Sequence, residues 1–360
     1  MDARVLAGID LYGRTLRYAE VECYDVERHG TRHRLLRLGS CDFEFDVTRV
    51  LWSAPAAQQQ QSHQQQLETL GKALADVYES TSAGELRVVV HPPQAYSFFA
   101  PAPAQDARAA RLEHFAREAQ LLADGDAADG SGSVRGNGPS GARDGLHVTA
   151  DECYAEQGVN GRRAWFHVLA LSGEAHARFQ RVMHTLPLPD FRWTISMEGA
   201  ARAAVLLEHR RRERPLRKDP SQSRGAEPWG AGAASAEHAR TEEAPFRLTV
   251  GCYAEHLELA LARHERFHFA LHAPHAEPPD SAYFAAALLE RLGLAPPSVG
   301  QTFVYGLDAD AASDDFTALG RLTETLPEPL DFRPIVGLDP EHLAEDFDPG
   351  PYVPCVGAAL

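Results

Sequence analysis

Val5, Ala7 and Ile9 alternate near the start of the chain, and after Tyr12-Gly13-Arg14 the apolar positions resume with Leu16, Tyr18, Ala19 and Val21. A period of two places one face of an extended segment on a core, and a glycine between two such runs turns the chain. Residues 4–22 therefore predict two strands joined by a tight turn, and residues 34–46 predict a third. A glutamine tract follows, Gln58–Gln61 and Gln64–Gln66. It offers no apolar surface and reads as a solvated loop or the lead-in to a helix. The spacing then changes: Leu67, Leu70, Leu74 and Val77 recur at helical intervals. Leu86 to Val90 is a short β-branched strand.

Residues 95–190 predict a unit of their own, in the order β-α-β-β-α. Tyr96 to Ala100 is strand-like, and Leu112, Phe115, Ala116, Ala119 and Leu122 form one helical stripe. Residues 124–146, rich in Gly, Asp and Ser, read as a flexible insertion. Strands follow near 147–156 and 162–171. Ser172 is placed to cap a helix whose inner face is Phe179, Val182, Met183 and Leu186. A strand near 191–197 and a helix from Glu198 to Arg212 come next. Polar residues 214–244 read as a disordered linker. A second lobe begins at Phe246, where 247–262 and 266–272 alternate like a hairpin. Tyr283–Leu292 predicts a helix stopped by Gly293, Phe303–Tyr305 a strand and Phe316–Leu322 a short helix. The tail from 331 is proline-rich and ends on the apolar run Val356-Gly357-Ala358-Ala359-Leu360.

Composition narrows the class. The chain has 360 residues, 44% of them hydrophobic, enough for a large two-lobed fold. The formal net charge of −16 repels nucleic acid and anionic lipid, so neither is an expected partner. The five cysteines, Cys23, Cys41, Cys153, Cys252 and Cys355, are scattered and include no CxxC pair. That pattern fits a reducing cytoplasm rather than a disulfide framework or a zinc site. No signal peptide or membrane span is read from the sequence. A cytoplasmic protein, recruited to a membrane only through a partner, is the expectation.

The segment Gly8-Ile9-Asp10-Leu11-Tyr12-Gly13-Arg14-Thr15-Leu16-Arg17 carries the most chemistry. A strand, an Asp, a small-residue turn and a returning strand let backbone amides approach phosphate oxygens while the carboxylate orients a magnesium-bound water. In Leu248-Thr249-Val250-Gly251-Cys252-Tyr253-Ala254-Glu255 a strand meets Gly251 in a second hairpin, and Phe303-Val304-Tyr305-Gly306-Leu307 ends a later strand in a glycine turn. In this order the segments resemble the two phosphate loops and the adenosine loop of the actin-like ATPases. Within that superfamily the chain is similar to the PilM family of type IV pilus assembly proteins and to the cytoplasmic part of type II secretion proteins. Glu198 to Ala203, Asp339-Pro340 and the apolar end match the PilM pattern in sequence order.

The resemblance implies an α/β, actin-like (ribonuclease H-like) two-lobed fold with an inserted β-α-β-β-α subdomain. The first lobe would span 1–94 and 191–213, the insert 95–190, the linker 214–245 and the second lobe 246–330, with 331–360 returning to the first lobe. The implied nucleotide-binding residues are Asp10, Gly13, Arg14, Thr15, Gly251 and Gly306, with magnesium ATP as cofactor if the loops work. Several departures argue that they do not. Tyr12 stands where the family has glycine, Thr249 where it has a second Asp, and Gly306-Leu307 replaces a double glycine. Losing a metal-orienting carboxylate and adding bulk at a phosphate turn both oppose hydrolysis. The expectation is thus a scaffold of a pilus or secretion assembly with no catalytic residues, turning over ATP slowly or not at all. The implied partner is a short cytoplasmic tail of an inner-membrane protein, and a homo-oligomer is compatible with the sequence. The alternative is an active actin-like ATPase or sugar-kinase relative that uses the same residues.

Other sites are discounted. His264, His268, His272 and His275 read as solvent-facing residues of a hairpin, with no metal expected. Arg135 falls where a calcium loop starting at Asp124 needs its Glu. The run Arg210-Arg211-Arg212 reads as a solvated helix end, with an acidic partner or lipid surface as the sharper reading. No Walker A loop, GxSxG or HExxH is present.

Overall fold

The structure is a computed structural model. It describes the chain outside residues 1–2, 27–29, 80, 104–106, 129–144, 159–160, 185–190, 214–243, 265, 308, 339–343 and 345–346. Asp339-Pro340, Leu186, residues 214–243 of the linker and residues 129–144 of the Gly-rich insertion lie outside the described residues.

The first lobe opens with β1 (Arg4–Tyr12), β2 (Thr15–Val26) and β3 (Gly30–Asp42), an antiparallel meander. Helices α1 (Val47–Trp52) and α2 (Gln60–Tyr78) follow, and the glutamine tract spans a 3-10 turn (Ala57–Gln59) and the first turns of α2. β4 (Glu85–Val90) then pairs parallel to β1. The insert comprises β5 (Tyr96–Pro103), α3 (Arg108–Ala128), β6 (Leu146–Gly158) and β7 (Gly161–Ser172). Its sheet runs β5-β7-β6, and Phe115 of α3 packs with Phe166 and Val168 as a separate small core.

Ser172 caps α4 (Gly173–Met183), its hydroxyl accepting from the Ala175 amide. The inner face of α4, Phe179, Val182 and Met183, joins the core of the first lobe with Leu70, Leu74 and Trp193. Sequence order attached this helix to the insert, and α4 does contact β6 and β7 there, besides α1 and α2 of the first lobe. β8 (Phe191–Ile195) completes the first sheet in the order β3-β2-β1-β4-β8.

α5 (Ser196–Glu213) leads to the second lobe. There β9 (Phe246–Tyr253), β10 (His256–Arg263) and β11 (Arg266–Pro274) form another antiparallel meander. After α6 (Ser281–Arg291), β12 (Val299–Gly306) pairs parallel to β9; α7 (Thr317–Thr323) and β13 (Glu328–Pro329) follow. The order β11-β10-β9-β12-β13 repeats that of the first sheet. α8 (Arg333–Val336) and α9 (Val353–Ala359) return the chain to the first lobe.

α9 is buried throughout and packs on β1 and across α5. Together with Tyr253, Phe303 and Tyr305 from the second lobe, these helices build a core shared by both lobes. The basic end of α5 is also engaged: Arg211 bonds Glu328 at 2.7 Å, and Glu208 bonds both Arg212 and Arg247. Arg211 and Arg212 are nonetheless exposed, as expected of a solvated helix end. Among the described residues no helix is long and apolar enough to cross a membrane.

Candidate functional site

The end of β1 and the end of β9 approach each other between the lobes. Strand alternation points Asp10 inward, and β1 is flanked by β2 and β4, so the carboxylate is only 1% exposed. Its Oδ1 lies 2.9 Å from Nε2 of His91, the residue that follows β4. The other ring nitrogen of His91 lies 3.0 Å from Oε1 of Glu258 on β10. Two carboxylates thus share one imidazole across the lobes. Burial alone would lower the His91 pKa, but the charge and hydrogen bond of Asp10, helped by Glu258, raise it to about 9.

Glu258 is the hub of the network. It accepts from Ser196 Oγ at 2.6 Å, from Tyr305 OH at 2.6 Å and from His256 Nε2 at 3.1 Å, besides His91. Burial pushes this carboxyl up, and the bonds from His256 and His91 overcome that and hold it far below the usual carboxylate range. A carboxylate with no exposure must be matched in this way, because an unmet buried charge is costly.

The aromatic rings close what the polar groups leave. The Tyr12 ring sits 4.4 Å from His91 and 5.0 Å from Tyr253, and Tyr253 stacks on His256 at 4.9 Å. The turn itself is also committed. The Gly13 amide donates to Thr48 Oγ1 at 2.8 Å, while the Gly13 carbonyl accepts from Val47. Thr15 Oγ1 donates to Asp42 at 2.7 Å, and the Arg14 guanidinium bonds the Glu44 carbonyl. Arg14 faces a separate groove of about 1140 Å³ beside Arg49 and His63.

Asp10 and Gly306 do come to the interlobe region. Gly306 ends β12 with φ +115°, beside the Cys252 carbonyl of β9. Gly251 is not a turn residue: the β9–β10 turn falls at Ala254-Glu255, and Gly251 pairs with Glu258 and Tyr305 inside the sheet. A Cβ there would lie 2.6 Å from the Tyr305 ring, so the glycine makes room for the tyrosine that bonds Glu258. Thr249 is fully buried with an unpartnered hydroxyl. Asp10 is spoken for by His91, Gly13 by Thr48 and Thr15 by Asp42, and a tyrosine fills the turn. These residues do not fit magnesium ATP.

Neither a family model nor a curated protein matches the sequence. Among solved structures, a chain of the PilM–PilN type IV pilus biogenesis complex superposes with a TM-score of 0.56 at 11% identity, covering 98% of this chain and 97% of that one. The fold is actin-like. A Bacteroides thetaiotaomicron protein of actin-like ATPase fold and unknown function gives 0.42 at 8% identity, over 93% of this chain and 96% of that one. The cytoplasmic domain of EpsL, an inner-membrane component of the Vibrio cholerae type II secretion system, gives 0.38 at 6%, over 85% and 84%.

The actin-like frame explains why the network lies where it does, at the meeting of two β-meanders. The sequence reading found Asp10 and Tyr12 but missed His91, Glu258, His256 and Ser196. A signal existed for Glu258, a single carboxylate inside His256-Leu257-Glu258-Leu259-Ala260-Leu261. Of the four hairpin histidines, His264 and His275 are exposed as read, and the other two are not. His268 is 7% exposed and stacks on Tyr154 at 4.6 Å, while His272 stands opposite Glu258 in register.

A second polar cluster joins the insert to α5. A cavity of about 330 Å³ is lined by Asp151, Cys153, His167, Glu198, Arg202 and Arg266, among others. His167 bonds Ser97 at 2.9 Å and approaches Glu198 at 3.7 Å, and Arg202 bonds Glu198 at 2.9 Å. Burial raises the Glu198 pKa, but His167 and then Arg202 outweigh it and bring it down to about 2. Burial, with the Glu198 charge behind it, pushes the Cys153 thiol up to about 12, so it is no nucleophile at neutral pH.

Proposed function

We propose that this chain is an actin-fold scaffold of a pilus or secretion assembly that works without nucleotide turnover and binds the cytoplasmic segment of a membrane-protein partner. The observation that carries the reading is the interlobe network: Asp10, His91, Glu258 and Tyr12 occupy one another at the point where this fold would hold phosphate and metal. An actin-like ATPase needs that carboxylate free to orient a metal-bound water. The likeness to the PilM–PilN complex supports the assembly setting, and a cytoplasmic location is part of the same proposal.

The test is a binding screen of synthetic cytoplasmic segments from membrane proteins encoded beside this gene, run with and without magnesium ATP. The reading expects at least one saturable binder whose affinity is the same in both conditions. A screen with no binder, or a binder whose affinity changes tenfold or more with ATP, would overturn it.

A further inference from the structure

The histidines of the second lobe gather beside the interlobe network. His256 and Glu258 are two apart on β10 and share one face of the strand; His272 of β11 stands opposite Glu258. His91 reaches the same carboxylate from the first lobe. One ligand-type atom from each of His91, His256 and Glu258 lies within 4.8 Å of the others, and all three residues are buried. His91 Nδ1 and His256 Nε2 stand 3.0 and 3.1 Å from the same oxygen, Glu258 Oε1. Metal–ligand bonds of about 2.0–2.1 Å place adjacent corners of a tetrahedron roughly 3.3 Å apart, so an ion enters with only small shifts.

The surroundings match what metal-bound imidazoles need. Asp10 lies 2.9 Å from His91 Nε2. A proton held there leaves the Nδ1 lone pair facing Glu258, the carboxylate–histidine–metal arrangement. His256 bound through Nε2 carries its proton on Nδ1, a buried atom with no hydrogen-bond partner. His272 Nε2 is likewise buried and unpartnered, and the two rings are 5.5 Å apart. Buried polar atoms left unmet call for an explanation such as an ion. A divalent cation with neutral imidazoles also balances the two carboxylates, which one protonated histidine only half does.

We propose that His91 Nδ1, His256 Nε2 and a Glu258 oxygen form a binding site for a divalent transition-metal ion of the zinc class, with Asp10 and His272 as its outer partners, and that the ion ties the first lobe to the second. The site stands apart from the scaffold reading and does not depend on it. Nitrogen ligands select zinc or cobalt over magnesium and calcium, which prefer oxygen.

The test uses the full chain without a histidine tag, unfolded in chelator and refolded with zinc, cobalt, magnesium or no metal. Metal is counted by mass spectrometry after gel filtration. One zinc per chain is expected, together with a higher melting temperature than in the magnesium and metal-free samples. Glu258→Gln and His256→Asn should lose the ion, and His114→Gln, on the exposed face of α3, should keep it. His272→Gln should keep the stoichiometry and weaken affinity by roughly 10–100-fold. The proposal is overturned if the refolded wild type holds no zinc, or if the two ligand variants hold as much as the wild type, the mark of surface histidines. If those variants fail to fold, the wild type decides: a melting temperature unmoved by zinc overturns the site, and one raised by zinc alone, with the ion and its cobalt absorption altered in His272→Gln, sustains it.

Discussion

At the residue scale His91, a side chain with no exposure, bonds a carboxylate from each lobe. Removing it leaves Asp10 and Glu258 buried without their shared cation. Breaking such an arrangement from one side costs about 3–5 kcal/mol. His91→Gln is therefore expected to lower the unfolding free energy measured in urea by that amount, and a value within about 0.5 kcal/mol of wild type would mean that water or another group already serves the carboxylates. Glu198 gives a second test. Its folded pKa lies below its ordinary value, so its contribution to stability is fully present above about pH 4.5 and is lost as the pH falls toward 2. Stability should fall across that window in the wild type and less steeply in Glu198→Gln, as followed by urea unfolding at each pH.

At the element scale, α9 is the piece whose local sequence looks least informative and whose packing is among the tightest. A Cβ on Gly357 would lie 2.0 Å from the Gly199 carbonyl oxygen, a backbone atom that cannot swing aside. Gly357→Ala must push α9 away from α5 and is expected to cost at least about 1–3 kcal/mol, read as a drop in melting temperature. An unchanged melting temperature would place the helices farther apart than described. Strand alternation and helical spacing made β1, β2, β4, β7, α2, α4 and α5 readable. The reading slipped where tertiary context decided. The turn after β9 was set at Gly251 because glycine usually marks a turn, whereas here it yields space to Tyr305. His91 and Glu258 are 167 residues apart, and no local pattern pairs them.

At the scale of the whole molecule, two sheets of the same strand order face each other across a core and a polar network that both lobes supply. In an actin-like ATPase the equivalent space is where nucleotide joins the lobes. Here side chains of the chain itself make that join: Tyr12, His91, Glu258, Tyr253 and Tyr305, with Arg247 and Glu208 farther out. The overall fold was legible from the order of its hairpins. The interlobe network was legible only in part, through Asp10 and Tyr12, since its other members come from separate strands. The most direct test is calorimetric titration of magnesium ATP into the purified protein. The account predicts no binding heat up to millimolar nucleotide. Micromolar affinity, about −8 kcal/mol, would contradict it and return Asp10 to the role of a metal-orienting carboxylate.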